Sequence, residues 1–158
     1  MLDPTFTADA RYLEDLKPGD RFVSGTHQLD AAQIKTFAGQ FDPQVFHLDE
    51  AAAEHTFFKG LAASGWHTAA ITMKLLVSSG LRLAGGVIGA GTELTWPAPT
   101  RPNDLLRAES EIIEIIPSQS RPDRGMVRIR TETVNQDGTV VQIMVGKLLV
   151  RRRPQGGG

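Results

Sequence analysis

Leu61-Ala62-Ala63-Ser64-Gly65-Trp66-His67-Thr68-Ala69-Ala70-Ile71-Thr72-Met73-Lys74-Leu75-Leu76-Val77-Ser78-Ser79-Gly80-Leu81 carries a single formal charge, Lys74. Ser64 reads as a helix start and Ser79-Gly80 as its stop. Trp66, Ala69, Ala70, Met73, Leu76 and Val77 recur between them at helical spacing. A helix apolar on nearly all sides must be wrapped by protein rather than laid on a surface. The run is long enough to span a bilayer. Its Ser64, Gly65, His67, Thr68, Thr72, Lys74, Ser78 and Ser79 would be penalised in lipid. A buried central helix in a cytoplasmic protein, away from any membrane, is therefore expected.

Downstream of this helix the pattern turns strand-like, over residues 87–96, 105–116, 126–134 and 140–150. Val127, Ile129, Thr131 and Thr133 alternate with Arg128, Arg130 and Glu132, as one buried and one open face demand. Asp137-Gly138 between two such runs signals a hairpin. Upstream, Lys17-Pro18-Gly19-Asp20 is a turn before a strand at 21–29. Asp30 suits an N-cap, with Gln33 completing a capping box, and Ile34, Phe37, Ala38 and Phe41 fall on one helical face. Pro43 disfavours helical geometry at Asp42, which ends that helix near Phe41. Asp49 caps a second short helix, 50 to about 55, before Lys59-Gly60 breaks the pattern.

Strands grouped after helices argue an α+β fold, an antiparallel sheet curled around the central apolar helix. No repeat or linker divides the 158 residues, so one domain is expected over 1–158, with its core at about 20–150 and 151–158 as a solvated tail. The formal net charge is −1, which provides no basic field for nucleic acid, and the only basic run is Arg151-Arg152-Arg153. The chain has no cysteine, which excludes disulfides, thiolate zinc sites and a cysteine nucleophile. Met1-Leu2-Asp3-Pro4-Thr5 lacks the apolar stretch of a signal peptide. Neither a metal-ligand motif nor a P-loop lysine is present, so no metal is expected.

The chemistry-bearing residues cluster just before and at the start of the central helix. On a regular helix Asp42 and His47 would be rotated apart by about 140°, but on a loop they can converge and hold a water as nucleophile or proton shuttle. Alternatively, Asp42 caps helix ends and His47 is a packed loop histidine. Gly65 lies in a first turn whose unpaired amides suit a developing oxyanion. It also reads as a glycine needed for tight helix–sheet packing. His27, His55 and His67 have no defined role.

Phe37-Ala38-Gly39-Gln40-Phe41-Asp42-Pro43-Gln44-Val45-Phe46-His47-Leu48-Asp49 resembles the hydratase motif of MaoC-like dehydratases and (R)-specific enoyl-CoA hydratases. Gly60-Leu61-Ala62-Ala63-Ser64-Gly65-Trp66-His67-Thr68 resembles the start of the family's central helix. Trp96-Pro97 and Arg101-Pro102-Asn103-Asp104 resemble its later strand and turn. The resemblance covers about residues 20–150 and implies a hot-dog fold. It puts the water-activating aspartate on Asp42 and the histidine on His47. The glycine whose N–H polarises the thioester carbonyl falls on Gly65. The implied reaction is reversible hydration of a 2-enoyl-CoA to a 3-hydroxyacyl-CoA, as the R isomer. No cofactor is implied, and coenzyme A enters only as part of the substrate. The partner is an acyl-CoA or acyl-carrier thioester, with Arg101, Arg121 and Arg124 as candidates for the coenzyme A phosphates. A homodimer or higher homo-oligomer is implied as well. One departure stands out: Pro43-Gln44 follows Asp42 where the family usually has Asn-Pro. The competing expectations are a non-catalytic acyl-binding or helper subunit and a hot-dog acyl-CoA thioesterase.

Overall fold

Alternating residues in the second half of the chain build four of the five strands. The computed structural model describes residues 9–155, so the N-terminal stretch read for a signal peptide and the last three glycines lie outside the described residues. The strands are β1 (Arg21–Gln28), β2 (Ile88–Thr95), β3 (Leu105–Pro117), β4 (Arg124–Val134) and β5 (Val140–Arg151). They form one antiparallel sheet in the order β1-β3-β4-β5-β2. The β4–β5 hairpin turns where Asp137-Gly138 predicts. Asn135 Oδ1 accepts from the amides of Asp137 and Thr139, both at 3.0 Å, and Gly138 takes φ +77°. Val127, Ile129, Thr131 and Thr133 are buried, while Arg128 and Arg130 pair with Glu114 and Glu132 on the other face.

The helices are α1 (Ala31–Phe41), α2 (Val45–Leu48), α3 (Glu50–Ala53) and α4 (Gly65–Val77). Asp30 Oδ1 caps α1 by accepting from Gln33 N at 2.8 Å. The second half of the expected capping box does not form. Gln33 instead donates its amide to Gln28 O and bonds His27 Nε2, because β1 ends close enough to compete. Ile34 and Ala38 are buried, but Phe41 at the helix end is 68% exposed. Ile71 and Leu75 of α4 join Leu29, Ile34, Leu106 and Val141 in one apolar cluster, which seats the helix on the sheet. This is the hot-dog arrangement.

The orientation of the central helix differs from expectation. Within one chain the sheet covers only one side of it, and most of the stripe read from its spacing points outward, although Leu76 is buried. Trp66 is 61% exposed, Met73 41% and Val77 56%, whereas His67, Thr68, Ile71, Thr72, Leu75 and Leu76 face inward. Inward threonines are stable there because the sheet supplies partners. Thr72 Oγ1 lies 2.6 Å from Thr133 Oγ1 and accepts from Gln142 Nε2 at 3.0 Å. The basic run is not a merely solvated tail either. Arg151 completes β5, Arg152 Nε donates to Glu14 at 3.0 Å, and Arg153 pairs with Asp15 at 2.6 Å and covers the Tyr12 ring. Among the described residues, no helix is long and apolar enough to cross a membrane.

Candidate active site

Asp42 is the C-cap of α1, held there by its amide bonding to Ala38 O at 2.9 Å. Pro43 then turns the chain, and Gln44 starts the one-turn helix α2 that carries His47. That turn of helix stands where an open loop is expected; it is too short to show a period in the sequence. It folds His47 back toward Asp42, so His47 Nε2 lies 3.2 Å from Asp42 Oδ2. His47 is 4% exposed, and its Nδ1 lies 2.5 Å from Ala62 O. A carbonyl can only accept, so Nδ1 carries the proton and donates it. In the neutral ring, Nε2 is then the basic nitrogen, and it faces the carboxylate.

Burial works to raise the Asp42 carboxyl above its ordinary value, but it is outweighed. The Gln44 amide, the Ser64 side chain and the neighbouring His47 together hold Asp42 below 3.8. Gln44 Nε2 donates to Asp42 Oδ1 at 2.6 Å, which leaves Oδ2 as the oxygen turned to His47. The longer side chain at the motif's asparagine position thus folds back onto the catalytic carboxylate candidate. Ser64 is fully buried and gathers the first turn of α4, its Oγ accepting from Trp66 N and its carbonyl from His67 N and Thr68 N. Among the described residues, the Gly65 amide has no protein acceptor.

These groups open onto a cavity of about 630 Å3. Phe46, Phe57 and Phe58 pack together on its lining, as do Trp66 and Trp96, and Gly65, Asp42 and His47 line it as well. The Thr68 and Thr100 hydroxyls, 3.0 Å apart and buried, contribute a polar patch to its lining. Arg101 also lines the cavity, but its guanidinium donates to the carbonyls of Phe58 and Leu61 and holds the wall in place. Arg121 and Arg124 do not line it, and Arg124 pairs with Asp123. The expected Asp42, His47 and Gly65 therefore line one cavity together with Arg101, whereas Arg121 and Arg124 lie elsewhere. In the sequence Ser64 reads only as a helix cap and Trp96 only as a signature residue; the one signal there is the adjacency of Ser64 to Gly65. Among the described residues, no three His, Asp or Glu side chains gather as metal ligands.

Comparison with known proteins agrees with this fold. The family model described as "MaoC like domain" matches residues 16–135. The chain is 34% identical over 141 residues to the uncharacterized protein YdeM of Bacillus subtilis, covering 87% of this chain and 96% of that one. The crystal structure of a MaoC-like dehydratase from Rhodospirillum rubrum superposes with a TM-score of 0.90 at 62% identity, covering 92% of this chain and 99% of the other. The unliganded R-hydratase PhaJ1 from Pseudomonas aeruginosa is similar with a TM-score of 0.73 at 25% identity, covering 90% and 86%. With its hot-dog sheet, its Asp42–His47 pair and a family match over most of its length, the chain belongs to the MaoC-like domain family.

Proposed function

We propose that the protein is an enoyl-thioester hydratase/dehydratase acting on 2-enoyl-CoA or an equivalent acyl-carrier thioester. The observation that carries this reading is the 3.2 Å approach of His47 Nε2 to Asp42 Oδ2 at a cavity that Gly65 also lines. The likeness to the Rhodospirillum MaoC-like dehydratase and the Pseudomonas R-hydratase supports it. In the hydration direction, a water bonded to both Nε2 and Oδ2 loses a proton to this pair as its oxygen bonds to C3. Electron density moves through C2 to the thioester oxygen, where the Gly65 N–H stabilises the enolate. Return of a proton to C2 completes a 3-hydroxyacyl thioester, with R configuration in this proposal; dehydration is the reverse. The exposed edge of β2 and the outward stripe of α4 support a homodimer as the working form.

The test is a panel of 2-enoyl-CoA thioesters with the purified chain, following loss of the conjugated enone absorbance and release of free thiol. Absorbance loss without thiol release is expected. Thiol release instead would make the protein a thioesterase, and no turnover of any member would leave an acyl-binding or helper subunit.

A further inference from the structure

Trp96 follows β2 and places its indole against the first residue of α4. A Cβ on Gly65 would stand 2.6 Å from Trp96 Cε2, 2.8 Å from Cζ2 and 2.9 Å from Cδ2. Non-bonded carbons settle at about 3.5–4.0 Å, so not even a methyl group fits between them. The ring is also fixed from behind. Trp96 Nε1 donates to Gln142 Oε1 at 3.0 Å, and Gln142 is fully buried. The Gln142 amide donates in turn to Thr72 Oγ1, which donates to Thr68 O at 2.8 Å. Trp66 meets the indole edge-on at 5.7 Å. The indole is thus anchored in the polar interior beneath α4 while remaining 42% exposed at the cavity.

We infer that Trp96 is a specificity-determining residue that restricts the cavity to acyl thioesters unbranched at C2, with Gln142 positioning its indole. This rests on the acyl-thioester reading of the cavity. A thioester oxygen on the Gly65 amide places C2 two bonds away, beside the glycine that the indole covers. A straight acyl chain presents only hydrogens there. A methyl on C2 needs the space the ring fills, and displacing the ring strips Gln142 of its donor inside the protein, which is costly.

The experiment is calorimetric binding of butyryl-CoA and 2-methylbutyryl-CoA, which differ only by a methyl on C2 and do not react. The wild type is expected to prefer butyryl-CoA by about tenfold or more, within the roughly 10–200-fold that one such group is worth in an apolar pocket. Trp96→Ala is expected to erase most of that preference by tightening the branched ligand. Trp96→Phe, whose ring cannot donate to Gln142, is expected to fall between and serves if the alanine variant does not fold. Gln142→Leu should weaken the preference without lining the cavity. Equal affinities in the wild type, or an undiminished preference in folded Trp96 variants, overturn the role of Trp96 and leave the acyl-thioester reading standing. Failure of the wild type to bind either ligand overturns both.

Discussion

His47 and Asp42 divide their work through their hydrogen bonds. The Ala62 carbonyl holds the Nδ1 proton of His47, and Gln44 occupies Oδ1 of Asp42, so the two remaining atoms, Nε2 and Oδ2, face each other. Asp42→Asn and His47→Gln should each lower kcat by roughly 10²–10⁴ with the fold intact. The double variant should lose far less than the product of the two effects, because the pair acts as a unit. Near-normal turnover in either folded single variant would remove this mechanism. Gln44→Ala removes a donor that favours the ionised carboxylate. The Asp42 carboxyl should then titrate higher, moving the acid limb of a kcat/KM profile to higher pH. An unmoved limb would show that Gln44 does not tune Asp42. His67 reports on burial. It is 8% exposed with Nδ1 unpartnered, and burial, with the charges of His27 and His47, pushes it down to about 4. The unfolded chain, with an ordinary value of 6.5, takes up this proton first as the pH falls. His67 therefore contributes stability above pH 6.5 that is lost as the pH drops toward 4. The slope approaches about 1.4 kcal/mol per pH unit for one proton. Urea titrations across this window should show a shallower decline for His67→Phe, and equal slopes would mean that His67 titrates normally.

At the scale of elements, α4 is attached by polar contacts as much as by apolar ones. Thr72 joins Gln142 of β5 and Thr133 of β4, and Gln142 carries the bond onward to Trp96. Thr72→Val keeps the volume but leaves the buried Gln142 amide without its acceptor. A loss of about 1–3 kcal/mol is expected from the unsatisfied group, measured by urea unfolding. A neutral result would mean that the network relaxes around the gap. The outward direction of α4's apolar stripe has its cause here. The helix turns its threonines to whichever side offers partners, and the sheet offers Thr133 and Gln142. Period alone recovers the helix but not its orientation, since Trp66, Met73 and Val77 form as regular a stripe as Ile71, Thr72 and Leu75.

At the scale of the whole molecule, two unsatisfied surfaces coexist. β2 is an edge strand with no buried residue, and α4 presents exposed Trp66, Met73 and Val77. Edge strands and contiguous apolar faces are normally covered. The protein should sediment at micromolar concentration as a dimer or larger assembly, and Val77→Lys should shift it toward the 17.2 kDa protomer. A fully active wild-type species at the protomer mass would contradict this.

The strands, their order of appearance, the caps at Asp30 and Asp49 and the Asp137-Gly138 turn were legible because each depends on neighbours within a few residues. Alternation, a cap or a proline is a local constraint, and the observed bounds differ from the expected ones by only a residue or two in most strands. Asp42, His47 and Gly65 were likewise visible as candidates through their motif. Tertiary structure alone decided which of their atoms meet, which face of α4 turns inward, that Arg101 serves the cavity wall, and that Arg152 and Arg153 bind the N-terminal turn. It also decided that Trp96 lies on Gly65. Apart from the Asp42–His47 contact, whose residues are five apart, these outcomes depend on partners tens to more than a hundred residues away, and local spacing says nothing about which distant polar group will be there to satisfy a buried one.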